Sequence, residues 1–494
     1  MVTQTHTASF IGETPINSTI IVETKRGVPE IIVHGLAVKE AREIKQRILM
    51  AFHHADLRLK AKRTLISVKQ PKINTKACTD LAIAAALYYK NSNIIPDDTI
   101  CYIGQITSNG TVHGSLENIP AIIAAKQLGF KKVVIPGNLI EKISWLTGID
   151  IYSLNHLSEL LKLNRVSHSP LRITTKHTEL SEKHQAALAA YPLATRALQI
   201  TATGGHHVLL LGPPGWGKST LSQAAAALLP DLSTEEVESI LSSSQNSTTI
   251  SQALCRRPLF HTITTRDSLK DIFGSARTGA IGMIAQNLHG TMVFDELPAF
   301  SPSSLQALRS TLDFEPTDWQ FSDITIHRRQ RTTIIATGNP CRCGNWKSAA
   351  ACHCSKAQRN HYWIRLGTAL LDRFQLHLWI DEQYEFNKKM SLDIEQIRQS
   401  IKKARLAQKK RYSTWLLRNA QADWELLSPN LDNQAMQQLK RAAIQLQLSL
   451  RAALHTLRIA RTIADLSDSD TILQTHILEA LQYRPIITPK DLHV

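Results

Sequence analysis

The stretch from Val208 to Thr220, VLLLGPPGWGKST, limits what this chain can become more than any other. Its apolar opening predicts a buried strand, a glycine-rich turn follows, and Lys-Ser-Thr opens a helix. The pattern G-x-x-x-x-G-K-[ST] is met at Gly212, Gly217, Lys218 and Ser219, and its physics is explicit. Glycines allow backbone N–H groups to close around a phosphate, and the helix N-terminus adds partial positive charge. The loop of Gly212, Pro213, Pro214, Gly215, Trp216 and Gly217 is expected to cradle the phosphates of ATP, with Lys218, Ser219 and Thr220 at the helix start. In this reading Lys218 reaches the β and γ phosphates, and the Ser219 hydroxyl holds Mg²⁺. An accidental glycine turn would lack the strand before it and the helix-forming LSQAAAALL after it.

A chain of 494 residues is too long for one core of ordinary size and predicts roughly two to four domains. No apolar run approaches the length of a membrane span, and MVTQTHTASF has no charged segment followed by an apolar one. A cytoplasmic protein without a membrane partner is therefore expected. The formal charge of +16 favours a polyanionic partner such as DNA, although a basic surface serving solubility is the simpler alternative. Four of the seven cysteines fall within residues 341–354, which points to a metal site rather than a disulfide framework.

Before the phosphate loop, STIIVETKRG, EIIVHGL, TLISVKQP and TICYIGQITSNGTVHGS read as strands, the last as a hairpin turning at SNG. KEAREIKQRILMAFHHA and CTDLAIAAALYY carry helical periodicity between them. Residues 1–165 thus predict an α+β domain. Residues 166–190, polar and rich in Ser, Thr and His, predict a linker and the first helix of the next domain.

After the loop, GTMVFDELPAF is an apolar run ending in Asp295 and Glu296. A carboxylate at the end of a parallel strand can hold Mg²⁺, and its neighbour can polarise the attacking water, so Asp295 is assigned the metal and Glu296 the general base. TTIIATGNP ends in Asn339, whose amide can bond a γ-phosphate or water without adding charge, though Asn-Pro is also an ordinary turn pair. Cys341, Cys343, Cys352 and Cys354, with His353 beside them, can close a tetrahedral Zn²⁺ site despite unusually tight spacing within each pair. A redox dithiol is the competing reading.

DITIHRRQRTTII predicts a hairpin whose tip carries His327, Arg328, Arg329 and Arg331, a sequence-tolerant grip on phosphates. Alternatively it is an edge hairpin protected by charge. In IRQSIKKARLAQKKRYSTWLLR, Lys402, Arg405 and Lys409 are expected on a shared face, solvated or facing nucleic acid. LSLRAALHTLRIARTIADL predicts a helix on which Arg451, Arg458 and Arg461 approximately share a face.

Several of these segments resemble known families. PKINTKACTDLAIAAAL and IGQITSNGTVHGSLENIPAIIAAKQLGFKKVVIP resemble a Lon-protease-like domain, of the ribosomal S5 domain 2-like fold. The protease serine position falls at Cys78 and its lysine position at Glu117, so proteolysis is not expected and a binding or assembly role is. Asn339 matches the sensor 1 position of AAA+ ATPases. LLDRFQLHLWI resembles the motif of the helicase-related AAA+ clade that includes Mg-chelatase, which implies Arg373 as an arginine finger acting on a neighbouring subunit. A salt bridge to Asp372 or another carboxylate is the ordinary alternative for Arg373.

Together the phosphate loop, DELPAF, GNPCRCG, the second cysteine pair, LLDRF and ARTIADL are similar in order to the ComM/YifB family. The resemblance implies an α/β AAA+ core at 191–385, a helical lid at 386–494 and Arg451 as sensor 2, with Arg458 the second choice. It further implies a homohexamer that drives branch migration on DNA strands and junctions during natural transformation, alongside recombination proteins. A Mg-chelatase-type ATPase remodelling a protein partner is the alternative. The chain departs from the family in two places. RRPLFHTITTRDSLK stands where a histidine-rich segment is usual, which puts DNA or interdomain contacts there in doubt. Trp216 stands at a small-residue position of the loop, where its side chain is expected to point outward.

Overall fold

The computed structural model describes residues 2–57, 59–69, 79–167, 181–244, 246–275, 280–314, 317–321, 324–328, 331–346, 351–380 and 392–484. It divides into two compact units, one of residues 1–174, 238–255 and 324–327, the other of 175–237, 256–323 and 328–494.

The first unit is built on a mixed eight-stranded sheet in the order Asn164–Arg165, Asp150–Leu154, Lys132–Pro136, Ile100–Tyr102, Thr3–Ile11, Thr14–Lys25, Arg63–Lys69 and Glu30–His34. Its interior strand Thr3–Ile11 pairs antiparallel with Thr14–Lys25 and parallel with Ile100–Tyr102. Sequence pattern missed this strand, because TQTHTASFI has no apolar alternation, yet all but Gln4 are buried. Thr5 Oγ1 finds a partner inside, donating to the Ala82 carbonyl at 2.8 Å, whereas the buried Ser9 hydroxyl has none among the described residues. Helix Thr79–Ser92 is apolar on every side and almost wholly buried, whereas Val38–His54 buries only the stripe of Ile44, Ile48, Ala51 and Phe52. The SNG turn joins Gln105–Ile106 to Val112–His113, a small sheet separate from Ile100–Tyr102. Glu117 accepts a hydrogen bond from Ser247 Oγ at 3.3 Å, and Cys78 lies outside the described residues.

The second unit holds a five-stranded parallel sheet in the order Phe260–Ile263, Thr291–Phe294, Thr333–Gly338, Val208–Leu211 and Leu376–Trp379. The edge strand Phe260–Ile263 is what RRPLFHTITTRDSLK forms. Both faces of the sheet are covered, which is why its strands read as unbroken apolar runs. Val208 and Leu210 join a cluster with Leu198, Ile401, Leu457 and Ile463, while Leu209 and Leu211 join another with Phe294, Leu308, Trp363 and Leu366. Each leucine so enclosed contributes about 1.5–3 kcal/mol relative to exposure. The C-terminal helices Ile394–Tyr412, Asn433–Gln445, Leu450–Leu466 and Gln474–Gln482 supply much of the first cluster and belong to the same unit as the sheet.

Two surface expectations fail. Two strands, Thr317–Phe321 and Ile324–Arg328, precede Thr333–Gly338. His327 and Arg328 therefore end the second strand instead of forming a hairpin tip; Arg331 lies beyond it, just before Thr333–Gly338, and Arg329 is outside the described residues. Arg405 does not share an exposed face with Lys402 and Lys409. It is buried and donates to Glu236 Oε1 at 2.7 Å, beside Arg418 at 3.1 Å from the same oxygen. Burial would raise the Glu236 carboxyl, but the two guanidiniums more than offset it and hold it at about 2.

Candidate nucleotide site

Parallel register brings three chain segments to one edge of the sheet. Leu211 is level with Gly338, and Phe294 with Ala336, so Gly212, Asp295 and Asn339 each leave the carboxyl end of an adjacent strand. That edge is where open parallel sheets bind ligands. Gly212 is required there: its φ is +158°, and a Cβ would stand 2.1 Å from the Ile380 carbonyl oxygen. Gly217, at φ +80°, turns the chain into helix Lys218–Ala224.

Lys218 is buried, and its Nζ donates to the carbonyls of Gly212 (2.8 Å) and Pro213 (2.6 Å) and to Asn339 Oδ1 (3.1 Å). Burial pulls its ammonium down to about 8, against the opposing pull of Asp295 and Glu296. Ser219 Oγ donates to Asp295 Oδ1 at 3.0 Å, placing a hydroxyl and a carboxylate side by side as oxygen donors of the kind Mg²⁺ takes.

A residue that sequence reasoning missed completes this group. Thr337 Oγ1 donates to Asp295 Oδ1 at 2.6 Å and accepts the Glu296 N–H at 3.0 Å. One hydroxyl thereby holds the Asp295 carboxylate and the Glu296 backbone. Its only signal in the sequence is a threonine two residues before Asn339 in TTIIATGNP. Glu296 sits at φ +58°, unusual for a non-glycine residue, with its side chain exposed at the sheet edge. Trp216 does not point outward: it is partly buried against the apolar cluster, and its carbonyl accepts from Tyr191 Oη at 2.9 Å.

Arg373 and Arg451 form a second group. Arg373 Nε lies 2.7 Å from Asp313 Oδ2, and Arg451 pairs with Asp313 Oδ1 at 3.5 Å. Arg458 donates to the Ala422 carbonyl at 2.7 Å. Arg461 is fully buried against Asp465. The arginines of that helix therefore go to three different partners.

The cysteine sulfurs converge directly after Asn339. Cys341 Sγ lies 3.3 Å from Cys343 and 3.7 Å from Cys352, Cys343 lies 3.6 Å from Cys352, and all four sulfurs are within 4.8 Å of one another. Burial pushes the Cys341 thiol up to about 12, while the Asn345 backbone N–H chiefly holds Cys343 at about 6.

A phosphate loop, an acid pair and a polar amide on the edge of a parallel sheet define a P-loop ATPase core, and the comparisons place it in the AAA+ Mg-chelatase class, whose members use ATP and Mg²⁺. Residues 187–400 match the family of magnesium chelatase, subunit ChlI; residues 392–484 match the ChlI C-terminal family; residues 20–138 match subunit ChlI of Mg-chelatase. The chain is 26% identical to the uncharacterized protein YifB of Escherichia coli over 501 residues, 97% of this chain and 96% of YifB. It is 27% identical to the Competence protein ComM of Haemophilus influenzae over 501 residues, covering 95% and 94% of the two chains. An uncharacterized protein of Mycobacterium tuberculosis is 27% identical over 93% of each chain. The chain belongs to the ComM/YifB family of Mg-chelatase-like proteins. Among the described residues, no helix is long and apolar enough to cross a membrane.

Proposed function

We propose that this chain is a cytoplasmic ATP-driven motor that assembles as a homohexamer and moves DNA strands and junctions, promoting recombination of incoming DNA. The observation that supports the reading is the linked set Lys218–Asn339 and Ser219–Asp295–Thr337–Glu296, which brings together the residue types that phosphoryl transfer to water uses within one protomer, apart from a cation for the transition-state charge. Lys218 binds the β and γ phosphates of the substrate ATP, Ser219 and Asp295 hold Mg²⁺, Glu296 takes a proton from the attacking water, and Asn339 orients that water. Mg²⁺, when bound, neutralises charge on the phosphates. Arg373 supplies the remaining cation to the neighbouring protomer, with Arg451 beside it as sensor 2. The DNA assignment is supported by the net charge of +16 and by the likeness to a protein named for competence.

In this reading the C-terminal helices act as the AAA+ lid, and the front unit is a Lon-protease-like module that binds or assembles without proteolysis. The four cysteines hold a structural Zn²⁺. Tetrahedral Zn–S bonds of about 2.3 Å give sulfur separations of about 3.8 Å; Cys352 lies 3.6 and 3.7 Å from Cys343 and Cys341, those two lie closer at 3.3 Å, and all four sulfurs lie within 4.8 Å. The test is steady-state ATP hydrolysis with single strands, duplexes and three- and four-stranded junctions across a salt series. Stimulation by junctions that falls steeply with salt supports the motor. Indifference to every DNA, with stimulation by a protein partner, would replace it with the Mg-chelatase-type remodelling reading.

A further inference from the structure

The thiol cluster and the phosphate loop are in contact. A Cβ at Gly344 would stand 2.4 Å from Pro214 Cδ, so the backbone of the cysteine loop rests directly on the loop that is to cradle phosphates. Asn339, which receives Lys218 through its amide oxygen, starts the turn that leads into Cys341. That turn is tied from the other side of the cluster as well. Tyr362 Oη donates to the Asn339 carbonyl at 3.1 Å, and Trp363 Nε1 donates to the Pro340 carbonyl at 2.8 Å. Both belong to helix Lys356–Leu366, which begins immediately after Cys354, and Arg359 of that helix donates to the Cys354 carbonyl at 2.8 Å.

We propose that the metal held by Cys341, Cys343, Cys352 and Cys354 sets the affinity of the nucleotide site, by fastening the turn at 339–344 between the phosphate loop and helix Lys356–Leu366. The inference rests on the metal reading given above. Its physical basis is that one ion joins the two ends of the segment 341–354. Cys341 and Cys343 continue the Asn339 turn, while Cys352 and Cys354 lead into the helix that holds that turn's carbonyls. Joining the Asn339 turn to that helix through the ion fixes the geometry of Asn339 and of Gly344 against Pro214 before ATP arrives. None of the four sulfurs needs to touch nucleotide for this to work. The device makes an ATPase whose substrate binding reports whether its thiols are loaded.

The test uses the full chain. Metal content is measured by mass spectrometry before and after treatment with an organomercurial and a chelator, and after reloading with zinc. Affinity for a fluorescent ATP analogue in Mg²⁺ is titrated at each stage. One zinc per chain is expected, with affinity falling about tenfold on stripping, as for the loss of one to two hydrogen bonds' worth of preorganisation, and returning on reloading. Tyr362→Phe separates the coupling from the metal: it should keep its zinc and lose about fivefold in affinity. If the stripped chain unfolds by circular dichroism, this variant carries the test alone. A chain with one zinc per protomer in which Tyr362→Phe binds nucleotide within twofold of the parent overturns the coupling. A chain that takes up no zinc overturns the metal reading beneath it.

Discussion

Thr337 offers the sharpest test of the site, because its role follows from geometry and not from a motif. Thr337→Val keeps the shape and β-branching in a strand position that is only 2% exposed and removes the hydroxyl, leaving its two partners without that bond. Two bonds go with it: the 2.6 Å donation to the Asp295 carboxylate and the 3.0 Å acceptance from the Glu296 N–H. The first is charge-assisted and worth about 1.5–3 kcal/mol. If most of that is felt where Asp295 holds the metal during hydrolysis, turnover falls about 10- to 100-fold, since each decade corresponds to roughly 1.4 kcal/mol. Nucleotide affinity should change little, because Lys218 makes its own bonds to Gly212, Pro213 and Asn339 without Thr337. Phosphate release at saturating Mg²⁺, read alongside titration with an ATP analogue, separates the two effects. Thr337→Ser keeps the hydroxyl and should stay within a few-fold of the parent. Turnover by Thr337→Val within twofold of the parent would refute the claim that this hydroxyl aligns the Asp295 carboxylate.

Burial lowers Lys218 to about 8 from an ordinary 10.5, so affinity for ATP should weaken as pH rises through that value, and Lys218→Arg, charged throughout, should flatten the slope. Between about 8 and 10.5 the unfolded chain holds the extra proton, so rising pH in that window favours the folded protein by the same group; an affinity that stays level to pH 9 in the parent would show the ammonium is not the phosphate contact. Glu236→Gln leaves Arg405 and Arg418 buried without a counter-charge and should cost about 3–5 kcal/mol in urea unfolding. Because the Glu236 carboxyl is depressed to about 2, its contribution is complete above the unfolded value near 4.5 and is lost as pH falls toward 2, an acid slope that the variant should lack.

The parts legible in the sequence are those whose chemistry is local. The phosphate loop needs glycine at Gly212 because the Ile380 carbonyl crowds it, and that need is visible as a spacing. Strands Val208–Leu211 and Thr291–Phe294 are buried on both faces, so they read as apolar runs ending at the residues that matter. Thr3–Ile11 was illegible for the converse reason: its polar residues go to the centre of a sheet, where Thr5 bonds Ala82, a partner distant in sequence. Arg405 misled in the same way. Helical spacing puts it near Lys402 and Lys409, but Glu236, far away in the chain, decides that it goes inside. Trp216 was misjudged because loop position alone says nothing about the apolar cluster it meets.

The same distinction separates the two charged groups of the ATPase unit. Lys218, Ser219, Asp295 and Asn339 meet because parallel register aligns the ends of adjacent strands, so any sequence that forms the sheet assembles them. Arg373 and Arg451 meet only because helix Pro302–Leu312 ends at Asp313, where one carboxylate takes two guanidiniums from segments far apart in the chain. Asp372 lies close enough to act on both guanidiniums as well, and Arg451 is 43% exposed there. The pairing of Arg451 costs little while water still screens it. In the proposed finger role, holding Arg373 by Asp313 would spare a flexible guanidinium the entropy of being fixed at the moment of reaction. The ion pair that serves as the ordinary alternative to a finger is thus compatible with one, because the carboxylate that neutralises Arg373 in part would also aim it.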